Sequence, residues 1–348
     1  MKFRLALVPF VLFACWAGAQ NLPSSRSSTT SPLTNQVSIT VENGVRTVRS
    51  NGVPDHPTGN FPNRACPNTM TAQSYVFHMP AEPVAAPQPT VLRMHPFGVA
   101  INGVVFDPGA AEWWQRNPSS GWQYEPLSGK YFLGTDDSNA HVQPNGVYHY
   151  HGLPKGLIQK HHAENTLIQI GWAADGFPIY GAWGHTKADD LNSPLKTMKS
   201  SYCVKSGTRP SGSQGPGGKY DGTFVQDYEY VAGSGDLDEN NGRFGPTPEF
   251  PKGTYHYYAT TTYPFIPRSF KGTPDSSFFR KGPPGGPGGR GPMRRGGMPG
   301  GPPPGGPGGG PPPFGPPPGP GGFGPPPFGP PPPAPDSTPP QSGGAPGS

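Results

Sequence analysis

Residues Gly146–Pro154 read GVYHYHGLP, with two histidines alternating with two tyrosines. Successive side chains of an extended strand leave on opposite faces. Tyr148 and Tyr150 therefore share one face, and His149 and His151 the other. Residues two apart stand about 6.5–7 Å apart at their roots, and imidazole tips on such roots can converge on one ion bound at roughly 2.0–2.1 Å. His-x-His on a strand is thus a chelating pair that wants a third donor. The competing reading is a strand whose histidines only hydrogen-bond to carbonyls or carboxylates.

Outward from this stretch, short β-branched or aromatic runs recur between Gly, Pro, Asn and Asp: QVSITVE (36–42), TVLRM (90–94), FGVAINGVVF (97–106), TLIQIGWA (166–173), FPIYGAW (177–183), QDYEYVA (226–232) and GTYHYYATTTY (253–263). Helical spacing is confined to short windows near Lys155–Asn165 and Ala110–Gln115. The expectation is a mostly β domain over residues 36–279, a sandwich or barrel-like arrangement with long loops and few short helices. An internal echo divides it. AINGVVFDPG, DDSNAH and NGVYHYHGLP in the first half are followed in the same order by AADGFPIYGA, DLDENNG and KGTYHYYATT in the second. The shared order predicts two pseudo-repeated β units with unequal connections.

The ends of the chain read differently. Lys2 and Arg4, the apolar Leu5 to Cys15 and the small Ala17-Gly18-Ala19 have the form of a signal peptide over residues 1–19, too short to span a bilayer. This implies a secreted or periplasmic protein with no transmembrane segment. The alternative is a lipoprotein anchored at Cys15, since Leu12-Phe13-Ala14-Cys15 resembles a lipidation site. A flexible lead, 20–35, follows. From 280 to 348 the chain is mostly Pro and Gly, a composition that cannot offset its ordering entropy and reads as a disordered tail. Lys2 and Arg4 lie in the leader and the tail carries +4 of the formal +5, which leaves −1 for residues 20–279. A near-neutral body argues against nucleic acid. The basic tail root RGPMRRGG could touch anionic cell-surface polymers, with a solvated linker as the alternative. Cys66 and Cys203 are expected to pair in an exported protein.

The third donor has several candidates. His141 lies eight residues before His149, and His256 occupies the matching slot of the second Tyr-His-Tyr strand. The acidic loops offer Asp136 and Asp137, or Asp236, Asp238 and Glu239. Nitrogen donors with open positions suit copper or zinc, and Tyr148 or Tyr150 would support the ligands from the opposite face. Calcium is less favoured. DLDENNG fits an EF-hand loop at Asp236, Asp238 and Asn240 but has Asn241 where Gly is required and Thr247 at the final acid. The expected state of that loop is a turn capped by its own side chains. His56, His78, His161, His162 and His185 read as surface or packing residues. Nucleophile-elbow, phosphate-loop and H-E-x-x-H motifs are absent from the sequence. Trp113, Trp114, Trp122, Tyr124 and Tyr131 form an aromatic-rich region that could stack sugars or simply pack.

Taken together, SNGVPDHPTGNFPN (50–63), AINGVVFDP (100–108), NGVYHYHGLP (145–154), GWAADGFPIYG (171–181) and GTYHYYAT (253–260) resemble the YHYH family of exported proteins over roughly Val37 to Phe270. The resemblance implies a shared fold around the tetrad strand and carries no catalytic roles. Tyr258 stands where a second histidine of the repeated tetrad would be, which weakens the case for two equal metal sites. The resulting expectation is an exported protein with a single copper or zinc site on the tetrad strand. The alternative is a cell-envelope binding or structural protein that recognises a polysaccharide or protein without metal.

Overall fold

A computed structural model describes residues 33–279. The expectations for the leader, most of the flexible lead and the Pro/Gly tail lie outside these residues. Among them the chain is mostly β, with one α-helix and lone 3-10 turns, and its several sheets stay open rather than closing into a barrel.

An antiparallel three-stranded sheet comes first: β1 (Val37–Glu42), β2 (Val45–Ser50) and β3 (Tyr75–Pro80). Asn43 and Gly44 join β1 to β2 with φ of 50° and 76°. Positive φ at both positions is what a two-residue hairpin turn demands, and Asn-Gly supplies it at low steric cost. β4 (Ala85–Val91) pairs antiparallel with the last strand, β17 (Ser269–Gly272).

The central sheet has eight strands: β5 (Gly98–Ala100), β6 (Val105–Phe106), β7 (Ala140–Val142), β8 (Tyr148–Tyr150), β9 (Gln169–Ala173), β10 (Pro178–Tyr180), β15 (Gly242–Gly245) and β16 (Thr254–Tyr258). Helix α1 (Lys155–Lys160) follows β8 directly. Two hairpins, β11 (Trp183–His185) with β12 (Leu195–Thr197) and β13 (Tyr202–Val204) with β14 (Tyr228–Tyr230), fall between β10 and β15 in sequence.

The order across the sheet, β15-β16-β10-β9-β5-β6-β8-β7, is symmetric about its centre. In each half a hairpin (β5–β6 or β9–β10) is joined in parallel by a Tyr-His-Tyr strand (β8 on β6, β16 on β10), which an outer strand closes antiparallel (β7 or β15). Phe106 pairs with Tyr150 as Ile179 pairs with Tyr257, so the correspondence is residue by residue. The loops match too. Asp136 accepts from the backbone N–H of Ser138 and Ala140, as Asp238 does from Asn240 and Gly242. Asn139 and Asn241, next along, both have φ of 55°. The echo in the sequence is a pair of β units, and the two inserted hairpins account for the unequal spacing.

Tyr148, Tyr150, Tyr255 and Tyr257 point into the main core with Phe97, Phe106, Ile170 and Ile179. A buried tyrosine needs a partner for its hydroxyl, and each has one. Tyr257 donates to Asp175 Oδ2 at 2.6 Å, and the backbone N–H of Gly272 donates to the same oxygen at 2.8 Å. Asp175 is only 1% exposed, and burial pushes its carboxyl up to about 6 despite these donors. Its folded pKa lies above the unfolded value, so its contribution to stability is fully present below about pH 4 and is lost as pH rises through about 6. Asp175→Asn keeps an acceptor for Tyr257 and removes the titration. Between pH 4 and 7 the native protein is expected to lose about 1–3 kcal/mol relative to the variant, read from paired urea melts.

Candidate metal centre

β7 and β8 form a hairpin whose register sets His141 directly opposite His149. Its turn is made by Gln143 to Val147. The Gly146 N–H donates to the Gln143 carbonyl at 2.8 Å, and Gly146 takes φ of 84°. His151 follows one residue past β8, its backbone N–H fixed by the Asn139 carbonyl at 2.8 Å. Three imidazoles therefore meet on one side of the sheet, with ring centroids 4.6–4.9 Å apart. Each offers a nitrogen within 4.8 Å of the other two, a metal-holding geometry that no other group of His, Cys, Asp or Glu attains among the described residues.

The ring orientations carry the chemistry. His141 Nδ1–H donates to the Leu133 carbonyl at 2.9 Å, and His149 Nδ1 faces the Val147 carbonyl at 3.3 Å. His151 Nδ1 is buried without a hydrogen-bond partner, and the Pro108 carbonyl lies close enough to the ring to favour its charged form. With the Nδ1 atoms of His141 and His149 turned to backbone carbonyls and the Nε2 atoms of His149 and His151 facing each other, Nε2 is the ligating atom the cluster offers, the arrangement by which proteins fix a histidine tautomer for metal. His149 Nε2 and His151 Nε2 stand 3.0 Å apart. Two such lone pairs need something between them, either a shared proton or a cation. A tetrahedral ion at 2.0–2.1 Å would hold its nitrogens about 3.3–3.4 Å apart, a shift of a few tenths of an ångström. The residues present therefore fit a tri-imidazole metal centre. Burial depresses the His141 pKa, and burial followed by the neighbouring His149 and His141 depresses that of His151 further. The neutral form that a metal requires is thus the favoured one. His149 and His151 are 1% exposed, whereas His141 is partly exposed, so the centre approaches solvent on the His141 side.

The opposite face of β8 anchors the strand. Tyr148 donates to Asp136 Oδ2 at 2.7 Å. The Tyr150 hydroxyl accepts from Asn102 Nδ2 at 3.0 Å and lies 2.6 Å from His56 Nε2. His56 is stacked on Tyr150 and is a packing residue. Below His151, Arg268 donates to the Pro108 carbonyl at 2.9 Å and pairs with the fully buried Glu125 at 2.6 Å. Neither Glu125 nor Arg268 was marked by any sequence pattern, because the pair joins residues 143 positions apart.

The other candidates lie elsewhere. His256 is on β16, with β10, β9, β5 and β6 between it and β8; five strand spacings amount to roughly 24 Å. Its Nε2 meets the Tyr258 hydroxyl at 3.0 Å and its Nδ1 the Thr254 carbonyl at 3.1 Å. Asp238 is spent on its own turn and on the Tyr255 hydroxyl, and the Tyr202 hydroxyl donates to the Glu239 carbonyl. Neither joins the histidine cluster. The expected disulfide is corrected: Cys66 and Cys203 are free. Cys66 is buried with its thiol donating to the Val142 carbonyl of β7, while Cys203 lies on β13 against Ser234, so different packing environments hold them. In the aromatic region Trp122 is buried, Trp113 and Trp114 are half-buried, and Tyr124 stacks on Tyr131 at 4.5 Å.

No curated protein and no solved structure matches the chain. The family model described as YHYH protein does match, over residues 76–272. That span exceeds half the chain and contains both Tyr-His-Tyr strands, the hairpin that sets His141 against His149, and the paired halves of the central sheet. The chain belongs to the YHYH protein family.

Proposed function

We propose that this is an exported protein that holds a single transition-metal ion, zinc or copper, on His141, His149 and His151. The observation that supports it best is the convergence of the three rings, each offering a nitrogen within 4.8 Å of the other two, with His141 and His149 turning Nδ1 to backbone carbonyls and His149 Nε2 facing His151 Nε2 at 3.0 Å. An all-imidazole donor set suits these two ions better than calcium or magnesium, which favour oxygen. Zinc would supply Lewis-acid chemistry there and copper one-electron chemistry. The protein's own part is to keep His141 and His151 neutral by burial and to orient the rings of His141 and His149 through their Nδ1 contacts with carbonyls. The hairpin register does the rest by clamping His141 across from His149. The metal-free alternative, in which Trp113 and Trp114 grip a glycan, has no comparable convergence of groups behind it, since both rings are half-buried.

Metal titration of the full chain tests the reading. The native protein is expected to take up one equivalent of Zn²⁺ or Cu²⁺. At an ion concentration a hundredfold above Kd, binding should stabilise the fold by about 2.7 kcal/mol. His149→Gln/His151→Gln is expected to take up none and to melt at the same temperature with and without metal. Equal uptake by the two proteins would overturn the assignment.

A further inference from the structure

The two-fold relation of the sheet gives every residue of the triad a counterpart. Arg243 pairs with His256 across β15 and β16 as His141 pairs with His149 across β7 and β8. Tyr258 lies two residues beyond His256, as His151 lies beyond His149. The frame around the counterparts is the same. Tyr148 donates to Asp136 as Tyr255 does to Asp238. The backbone N–H of His151 donates to the Asn139 carbonyl, and that of Tyr258 to the Asn241 carbonyl. Each central histidine turns Nδ1 toward the carbonyl two residues earlier, Val147 or Thr254. The contact between neighbouring tips is also preserved, 3.0 Å from His149 Nε2 to His151 Nε2 and 3.0 Å from His256 Nε2 to the Tyr258 hydroxyl.

Arg243 breaks the match. Its guanidinium lies over the Tyr258 ring, 5.4 Å from the centroid, and Nη1 donates to the His185 carbonyl at 2.8 Å. Its Nε is buried without a partner, an unusual state for so strong a donor. The side chain thus brings a permanent positive charge to the place where His141 stands in the first half. His256, held near pKa 4 by burial and then by Arg243, stays neutral as a ligand would. A guanidinium cannot lose its proton in a protein, so it cannot ligate, but it can take the position of a cation.

We propose that the second half keeps the metal-holding frame as a latent site for a nitrogen-seeking divalent ion, closed by Arg243 acting as a built-in cation. The proposal rests on reading the first triad as a metal centre. It explains why a protein with two such units would hold one ion. It also assigns Arg243 a role that an ion pair would not: the guanidinium bonds to a carbonyl and a ring face rather than to a carboxylate.

Restoring the missing imidazoles tests it. Arg243→His/Tyr258→His in the full chain is expected to bind one more equivalent of Zn²⁺ or Cu²⁺ than the native protein. The same pair of changes in the His149→Gln/His151→Gln background should raise uptake from none to one. Arg243→His alone, the smaller perturbation, should admit Cu²⁺ to His256 and the Tyr258 phenolate and develop a phenolate-to-copper absorption band. Should the double variant fail to fold, that band decides the matter. Folded variants that bind no more metal than their parents, or a single variant with no band, would overturn the proposal. If the native chain binds nothing while the variant binds one ion, the first triad is misread but the latent site stands.

Discussion

Alanine at Gly171 is expected to destabilise the protein by about 3 kcal/mol or more, at or above the usual upper range for overpacking. A Cβ there would lie 2.3 Å from the Val99 carbonyl oxygen, 2.8 Å from Ala100 Cα and 2.9 Å from the Phe106 ring. Gly98, its counterpart in the other half, is in the same position, with a Cβ 2.3 Å from the Trp172 carbonyl oxygen. Both belong to the ladder between β5 and β9, where Gly98 faces Ala173 and Ala100 faces Gly171. The nearest obstructing atoms are backbone at both positions, so no rotamer change relieves the clash. The strands must part, and they are the seam at which the two halves meet. Gly121→Ala is the control, because Gly121 has φ of 73° but nothing within 4 Å of the added carbon. It should cost only the conformational strain, on the order of 1 kcal/mol. Urea unfolding of the two variants checks the difference, and equal losses would contradict the account of the seam.

Glu125→Ala is expected to cost about 3–5 kcal/mol, the usual penalty for breaking a buried ion pair from one side. Glu125 is fully buried and its Oε2 holds Arg268 at 2.6 Å. Burial raises the carboxyl's pKa, and the adjacent Arg268 opposes that rise. Removing the acid strands a guanidinium whose Nε already lacks a partner. Arg268 also holds the Pro108 carbonyl beside His151, so the loss reaches the metal centre. Glu125→Gln, which keeps shape and one acceptor, should recover part of the stability. Thermal melts of both variants at neutral pH check this, and a Glu125→Ala loss within 0.5 kcal/mol of zero, the ordinary range for surface changes, would contradict it.

The tetrad strand was legible because its alternation is a property of extended backbone, and the strand runs around it had the same basis. His141 was a candidate by proximity, but its partnership with His149 depends on register. Pro144-Asn145-Gly146, centred midway between the two histidines, is the signal that carries it. A turn there folds residue 141 onto 149. His256 was harder to place. The echo correctly announced two units, yet an echo says nothing about whether the units stack face to face or lie side by side. They lie side by side, which puts His256 at the equivalent position of its own half rather than at the triad. The cysteines illustrate the same limit. Closing a long loop is favourable in principle, but packing against Val142 and Ser234 decides where each thiol sits.

The most direct test of the central claim is X-ray absorption at the metal edge of the zinc-loaded full chain. The account predicts three imidazole nitrogens at about 2.0 Å with a further light atom, and one imidazole fewer in His141→Gln. A shell of carboxylate oxygens, or one unchanged by His141→Gln, would contradict it.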